Sequence, residues 1–119
     1  MRQAVSLQIL LVLAMASLPW RAMPETSKAR CLIKQNDRVA YSGACQLERE
    51  KDGSFAIKRS GNRAIVPNIT NISVSIVSTG VAEVRGLTTG GNNSRWGTAR
   101  KSNQNPTCWT GSDFEVCVN

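Results

Sequence analysis

From Cys31 onward the apolar residues come in short runs or at every second position, and each run ends at a cluster of Gly, Asn, Asp, Ser or Pro. Cys31-Leu32-Ile33 runs into Gln35-Asn36-Asp37, and Val39-Ala40-Tyr41 into Ser42-Gly43. The alternating Cys45-Gln46-Leu47-Glu48 leads to Lys51-Asp52-Gly53, a strong hairpin signal before Phe55-Ala56-Ile57. Ser60-Gly61-Asn62 turns the chain again, and Pro67 stops Ala64-Ile65-Val66. Ile69 to Ser78 is the longest strand expected, with Ile72, Val74 and Ile76 on one face and Ser73 and Ser75 on the other. That two-residue period gives one buried and one wetter face. Val81 to Arg85 returns with Val84 inward, and Leu87 to Arg95 is a Gly- and Asn-rich stretch that reads as a loop. Glu25 to Arg30 reads as a polar lead-in. No helical period occurs in this region. Short strands with turns about every ten residues predict an all-β fold, a small antiparallel meander closed into a barrel or sandwich and stapled by disulfides. The terminal Cys108-to-Cys117 segment, with Gly111-Ser112-Asp113 at its middle, is the natural closing hairpin.

The first residues do not fit this pattern. Arg2 precedes an apolar run from Val5 to Ala16 interrupted only by Ser6 and Gln8, with small residues at Ala14, Ala16 and Ala22. This is the plan of a secretory signal peptide, and the run is shorter than the ~20 residues that span a bilayer. Cleavage fits after Ala16 or Ala22; the second assigns residues 1–22 to the signal peptide and 23–119 to one small β domain. The expected location is periplasmic or secreted, with no stable membrane insertion.

Export decides how the four cysteines are read. In a small exported domain an even count indicates disulfides, and the absence of histidine and of close cysteine pairs argues against zinc or any other metal. Four cysteines allow three connectivities. Cys31 with Cys45 and Cys108 with Cys117 is favoured, because each pair flanks a turn signal. The full chain carries a formal charge of +7; without Arg2 and Arg21, 13 basic residues face 8 acidic ones, a balance of +5. Such a protein suits an anionic polymer or an acidic protein cleft.

Candidate chemistry is thin, and the chain is expected not to be an enzyme and to need no cofactor. General acid–base work would fall to exposed carboxylates, of which Glu48 and Glu50 share a strand face as a glycosidase pair would. The basic residues form two groups, Lys58, Arg59 and Arg63 around Gly61, and Arg95, Arg100 and Lys101 around Trp96. The second group follows the Gly-rich stretch and reads as a binding loop, made of Ser94, Arg95, Trp96, Arg100 and Lys101, with Tyr41 and Ser42 as further contacts. Trp96 also reads as a core aromatic on a strand, with the cations as its solvated flanks, and Trp109, beside Cys108, is the stronger core candidate. Too few aromatics remain after Trp20 leaves for a nucleic-acid surface. Asn68-Ile69-Thr70, Asn71-Ile72-Ser73 and Asn92-Asn93-Ser94 fit the glycosylation pattern, the first two against the longest strand.

Four elements in combination, Cys31-x13-Cys45, Asp52-Gly53-Ser54-Phe55-x-Ile57, Trp96-Gly97-Thr98 and Cys108-Trp109-x7-Cys117, resemble the small exported proteins of alphaproteobacteria. Some of these resemble periplasmic inhibitors of lysozyme and other peptidoglycan hydrolases. The resemblance implies inhibition by loop blockage: donors such as Ser42, Ser94, Arg95 or Lys101 reach the carboxylates of a lysozyme-like hydrolase and exclude substrate. A non-catalytic module that binds peptidoglycan or another anionic polymer is the second expectation.

Overall fold

The computed structural model describes residues 25–119, so the expected signal peptide, residues 1–22, lies outside the described residues. Eight antiparallel strands follow one another in chain order: β1 (Glu25–Gln35), β2 (Arg38–Arg49), β3 (Phe55–Lys58), β4 (Ile69–Ser78), β5 (Val81–Thr88), β6 (Asn93–Lys101), β7 (Cys108–Thr110) and β8 (Phe114–Val118). Each pairs with the next, and β8 pairs with β1 from Cys31 to Gln35, so the meander closes into a barrel as expected. Both disulfides form in the expected pairing, Cys31–Cys45 and Cys108–Cys117. Such bonds suggest an oxidising compartment outside the cytoplasm. Among the described residues no helix is long and apolar enough to cross a membrane.

Alternation along the strands fills the interior. Ile33, Leu47, Ile57, Ile72, Val74, Ala82, Val84, Ala99 and Val116 are buried, one or two from each of seven strands, and they belong to one hydrophobic core. Ile72 and Val74 point inward as the period of β4 predicts, while Ile76 is half-buried near its end. Val84 is inward as expected. The last pair of cysteines lies on the outer face, directly opposed across β7 and β8, and the neighbouring pair Trp109 and Val116 is buried inside. Disulfide and tryptophan therefore grip the hairpin from its two sides.

Four local expectations need correction. Glu25 to Arg30 is not a loose lead-in but the first half of β1, paired residue by residue with Arg49 to Ala44. Its polar composition reflects the exposure of Thr26, Ser27, Lys28 and Arg30, and backbone pairing holds it, with Ala29 packed against the core. Ser42-Gly43 does not end a strand: β2 continues through it, paired with Leu32 and Cys31, and the Tyr41 ring lies over Gly43, where a Cβ would stand 3.3 Å from the Tyr41 hydroxyl. Glycine there makes room for a ring. Ala64-Ile65-Val66 is not a strand either; it belongs to the long β3–β4 connection, which makes one bridge, Val66 to Ile69, and turns Ile65 and Val66 into the core. Finally, the Gly- and Asn-rich loop is only a tight turn, since β6 already begins at Asn93. The residues expected to form a binding loop all lie on strands, Tyr41 and Ser42 on β2 and the rest on β6.

The pairing is staggered, and this leaves two seams. Gln46 of β2 is level with Lys58, Asn71, Leu87 and Asn93, whereas Val39 of the same strand is level with Lys34, Glu115, Thr110 and Arg100. Between those levels β2 and β6 each run on beyond their short neighbours β3 and β7. The β3–β4 connection covers the first seam, with the Arg59 guanidinium 5.5 Å from the Tyr41 ring centre. Trp96 and Phe114 meet at the second, edge to face with ring centres 5.5 Å apart.

Candidate binding surface on the β5–β6 wall

The register of β5 and β6 decides what their outer face presents. Val84 and Ala82 are inward, so Glu83 and Arg85 face out, and pairing places Thr98 opposite Glu83 and Arg95 opposite Arg85. The register shifts between Val84 and Arg85, with Gly97 in a left-handed conformation at φ 122°. This β-bulge lets Trp96 turn into the barrel while Arg95 stays exposed. Gly86 is the inward counterpart. A Cβ there would stand 3.0 Å from both Trp96 Nε1 and Ile69 Cδ1, so only glycine admits the indole.

Two arginines thus face each other across an exposed pair of strands, an arrangement that is destabilising unless relieved. Relief is partial. Arg95 Nε donates to Glu83 Oε1 at 3.0 Å and the Thr98 hydroxyl donates to Oε2 at 2.8 Å, which occupies Glu83 and compensates Arg95. Among the described residues neither Arg85 nor Arg100 lies in an ion pair. The wall therefore keeps net positive charge beside a turn of polar, exposed residues.

That turn is fixed by its own hydrogen bonds. The Gly91 N–H donates to the Thr88 carbonyl at 2.9 Å, the Thr88 N–H to the Asn92 carbonyl at 2.7 Å, and the Asn92 N–H to Thr88 Oγ1 at 3.0 Å. The Thr89 N–H reaches across to the Asn68 carbonyl at 2.9 Å and ties the turn to the β3–β4 connection. Thr89 to Asn93 are all exposed. The Gly-rich segment expected as a loop is a short projection held by its own hydrogen bonds.

The residues singled out from sequence do not form one surface. Ser94 and Arg95 stand beside this turn, and Arg100 lies further along the same outer wall, opposite Thr110. Trp96 packs inside, so its indole is a half-buried core group. Lys101 sits at the other end of β6 with its Nζ 5.6 Å from the Trp109 ring centre. Tyr41 and Ser42 belong to β2, four strands away in either direction around the barrel. The Tyr41 hydroxyl is committed to the Ala44 carbonyl. Sequence reasoning missed Arg85, Glu83 and Thr98, because which residues oppose one another across strands depends on register.

Glu48 and Glu50 line a different, shallow groove of about 280 Å³ with Asp52, Ser54, Ser73 and Ser75. Ser54 is buried: its Oγ accepts the Ile76 N–H at 2.9 Å and its own N–H donates to Asp52 Oδ1 at 2.9 Å. That backbone donor, then the Ser54 side chain, holds the Asp52 carboxyl below the ordinary value near 3.8. A general acid needs the opposite shift. Asp52 thus serves as the acceptor that shapes the β2–β3 turn.

Glu83 is also held below its ordinary value, near 4.5, first by the Thr98 hydroxyl and then by Arg95. The folded protein accordingly binds fewer protons at Glu83 than the unfolded chain does at mildly acid pH. Its contribution is present above about pH 4.5 and is lost as pH falls through the depressed value. Glu83→Gln should flatten the acid side of the stability curve, measured by urea unfolding at a series of pH values. An acid limb of unchanged slope would show that the Arg95–Glu83–Thr98 cluster contributes nothing.

No family model, curated protein or solved structure matches this chain.

Proposed function

We propose that this protein is an exported inhibitor of a lysozyme-like peptidoglycan hydrolase, and that it blocks the substrate groove with the β5–β6 turn backed by the Arg85, Arg95 and Arg100 wall. The observation that carries the reading is the directly opposed Arg85 and Arg95 beside a turn pinned by four backbone donors. A rigid projection of donors and acceptors is suited to enter a groove at small entropic cost, and exposed arginines suit a carboxylate pair. The blocking element in this reading is a strand-borne turn, not a loop. The disulfides and the resemblance in the cysteine frame agree with action outside the cytoplasm.

A panel of muramidases assayed with increasing mature protein tests the idea. Inhibition of at least one enzyme is expected. Arg85→Glu combined with Arg100→Glu should weaken it by about tenfold or more with no loss of melting temperature, because both side chains are exposed and the first change removes a like-charge pair. Full muramidase activity across the panel at large molar excess would sink the proposal. The second reading, a non-catalytic module for an anionic polymer, draws on the same unpaired cations. It predicts sedimentation with purified wall sacculi that high salt abolishes.

A further inference from the structure

The outer face of β1 and β8 carries a second concavity, and we infer that it is a binding site for a short saccharide bearing a carboxylate. The groove encloses about 360 Å³, within the ~300–1,000 Å³ range of small-molecule sites. Leu32 and the Cys108–Cys117 disulfide form its floor. Arg30, Lys34 and Ser42 reach it from β1 and β2, and the β6–β7 connection forms the opposite flank.

That connection is held in shape from within. Ser102 Oγ accepts the N–H groups of Gln104 and Asn105, both at 3.2 Å. Asn105 Oδ1 accepts the N–H of Thr107 at 3.1 Å and its hydroxyl at 2.7 Å. The Val118 N–H donates to the Thr107 carbonyl at 3.0 Å and moors the connection to β8. By contrast the side chains of Arg30, Ser42 and Gln104 make no hydrogen bond among the described residues. Uncommitted donors therefore converge on a wall that needs no reorganisation, which is the arrangement that favours binding of a small polar ligand.

Charge narrows the ligand class. Lys34 Nζ stands 3.9 Å from Glu115 Oε1, and Glu115 also accepts the Thr110 hydroxyl at 2.9 Å, so this pair compensates itself. Arg30, whose backbone pairs with Asn119 at the groove's edge, lies in no ion pair among the described residues, and its planar fork suits one carboxylate. Hydroxyl and amide groups on the rim match sugar hydroxyls, and Leu32 with the disulfide sulfurs offers the apolar patch that the C–H face of a sugar ring covers. The site lies on a different wall from β5–β6, and it stands or falls independently of hydrolase inhibition.

The test is a titration of the ¹⁵N-labelled mature protein followed by amide shifts. The probes are N-acetylglucosaminyl-N-acetylmuramic acid and digalacturonate as acidic sugars, chitobiose as the neutral counterpart and acetate as the bare anion. Saturable shifts at Arg30 to Lys34, Ser42, Ser102 to Asn105 and Thr107 are expected with at least one acidic sugar, and which of the two binds tighter identifies the source of the carboxylate. Chitobiose and acetate should each bind at least about tenfold more weakly, and Arg30→Gln should lose about tenfold in affinity. Arg85→Glu should leave this binding unchanged while weakening any hydrolase inhibition, so the two proposals fail separately. No saturable shift with either acidic sugar by ~10 mM overturns the inference. So does equal affinity for chitobiose or acetate, or an Arg30→Gln variant that binds as well as the parent.

Discussion

Gly111→Ala is expected to lower the melting temperature by roughly 10–20 °C, an effect far larger than a turn glycine at an ordinary backbone angle suggests. Gly111 is not among the residues in the left-handed region, so its conformation alone tolerates a side chain. Space is what forbids one. A Cβ would overlap the Phe114 ring, which is 6% exposed and packed edge-on against Trp96 at the second seam. Two escapes exist, and both are costly. If the ring rotates away, the aromatic pair separates and the seam opens. If the turn opens, the 2.8 Å bonds from the Gly111 N–H to the Phe114 carbonyl and from the Asn36 N–H to the Asp113 carbonyl are lost, the second of which joins the β7–β8 turn to the β1–β2 turn. Overpacking of this kind costs ~1–3 kcal/mol, and the loss of an aromatic pair ~0.5–1.5 kcal/mol more. Gly90→Ala is the control. Gly90 has no positive φ and its Cβ would meet nothing closer than 3.9 Å, so its melting temperature should not move. Thermal unfolding followed by tryptophan fluorescence reads both variants. Equal melting temperatures for Gly111→Ala and Gly90→Ala would show that the seam is not packed as described.

This glycine illustrates what the sequence could carry. Strand existence, the buried face of β4, both disulfide pairings and barrel closure by the last hairpin follow from short-range signals: two-residue alternation, turn chemistry and cysteines flanking turns. Gly43 and Gly111 looked like turn residues, yet the Phe114 ring occupies the space of a Cβ at Gly111, and the Tyr41 ring lies against that of Gly43. That contact joins residues two or three apart, but it depends on where the ring is pulled by partners distant in the chain. Glu25 to Arg30 misled for a related reason. A strand held mainly by backbone pairing and offering the core little beyond Ala29 needs no apolar alternation, so nothing local distinguishes it from a tail.

The candidate surface was less legible than the fold. The cluster of cations around Trp96 was visible, but the assignment of sides was not, because one bulge at Gly97 sends Trp96 inward and leaves Arg95 outside. A binding surface read without the bulge includes an aromatic that the barrel has already buried. Arg85 escaped notice altogether because its significance is its partner: Arg95 lies ten residues on, and only the β5–β6 register sets them face to face. The groove beside Arg30 and Ser42 is assembled from four separated segments, and no spacing rule predicts it.

Replacing Cys108 and Cys117 together by serine is expected to lower stability by ~2.5–3 kcal/mol, and the melting temperature by roughly 10–20 °C. The magnitude follows from the unfolded state, where a bridge across a sequence separation of 9 restricts the chain. The bridge between Cys31 and Cys45 spans 14 residues, so loop entropy alone predicts a loss at least as large for its removal. The folded barrel distinguishes them. Cys31–Cys45 joins β1 and β2, which are paired along their full lengths from Glu25–Arg49 to Gln35–Arg38. Cys108–Cys117 joins strands that share only three pairs, and β7 is held to β6 by only two, Arg100–Thr110 and Lys101–Trp109. The closing strand thus has little backbone pairing in reserve. Without its disulfide, β7 should open on its own below the global unfolding free energy and expose the indole of Trp109, whereas the Cys31→Ser, Cys45→Ser double variant should remain uniformly protected until it unfolds as a whole. Amide exchange resolves the difference: early loss of protection at Arg100, Trp109 and Val116 in the first variant only. Uniform exchange in both variants would mean that the barrel closes as firmly without the last disulfide as with it, and that its contribution lies in the unfolded chain alone.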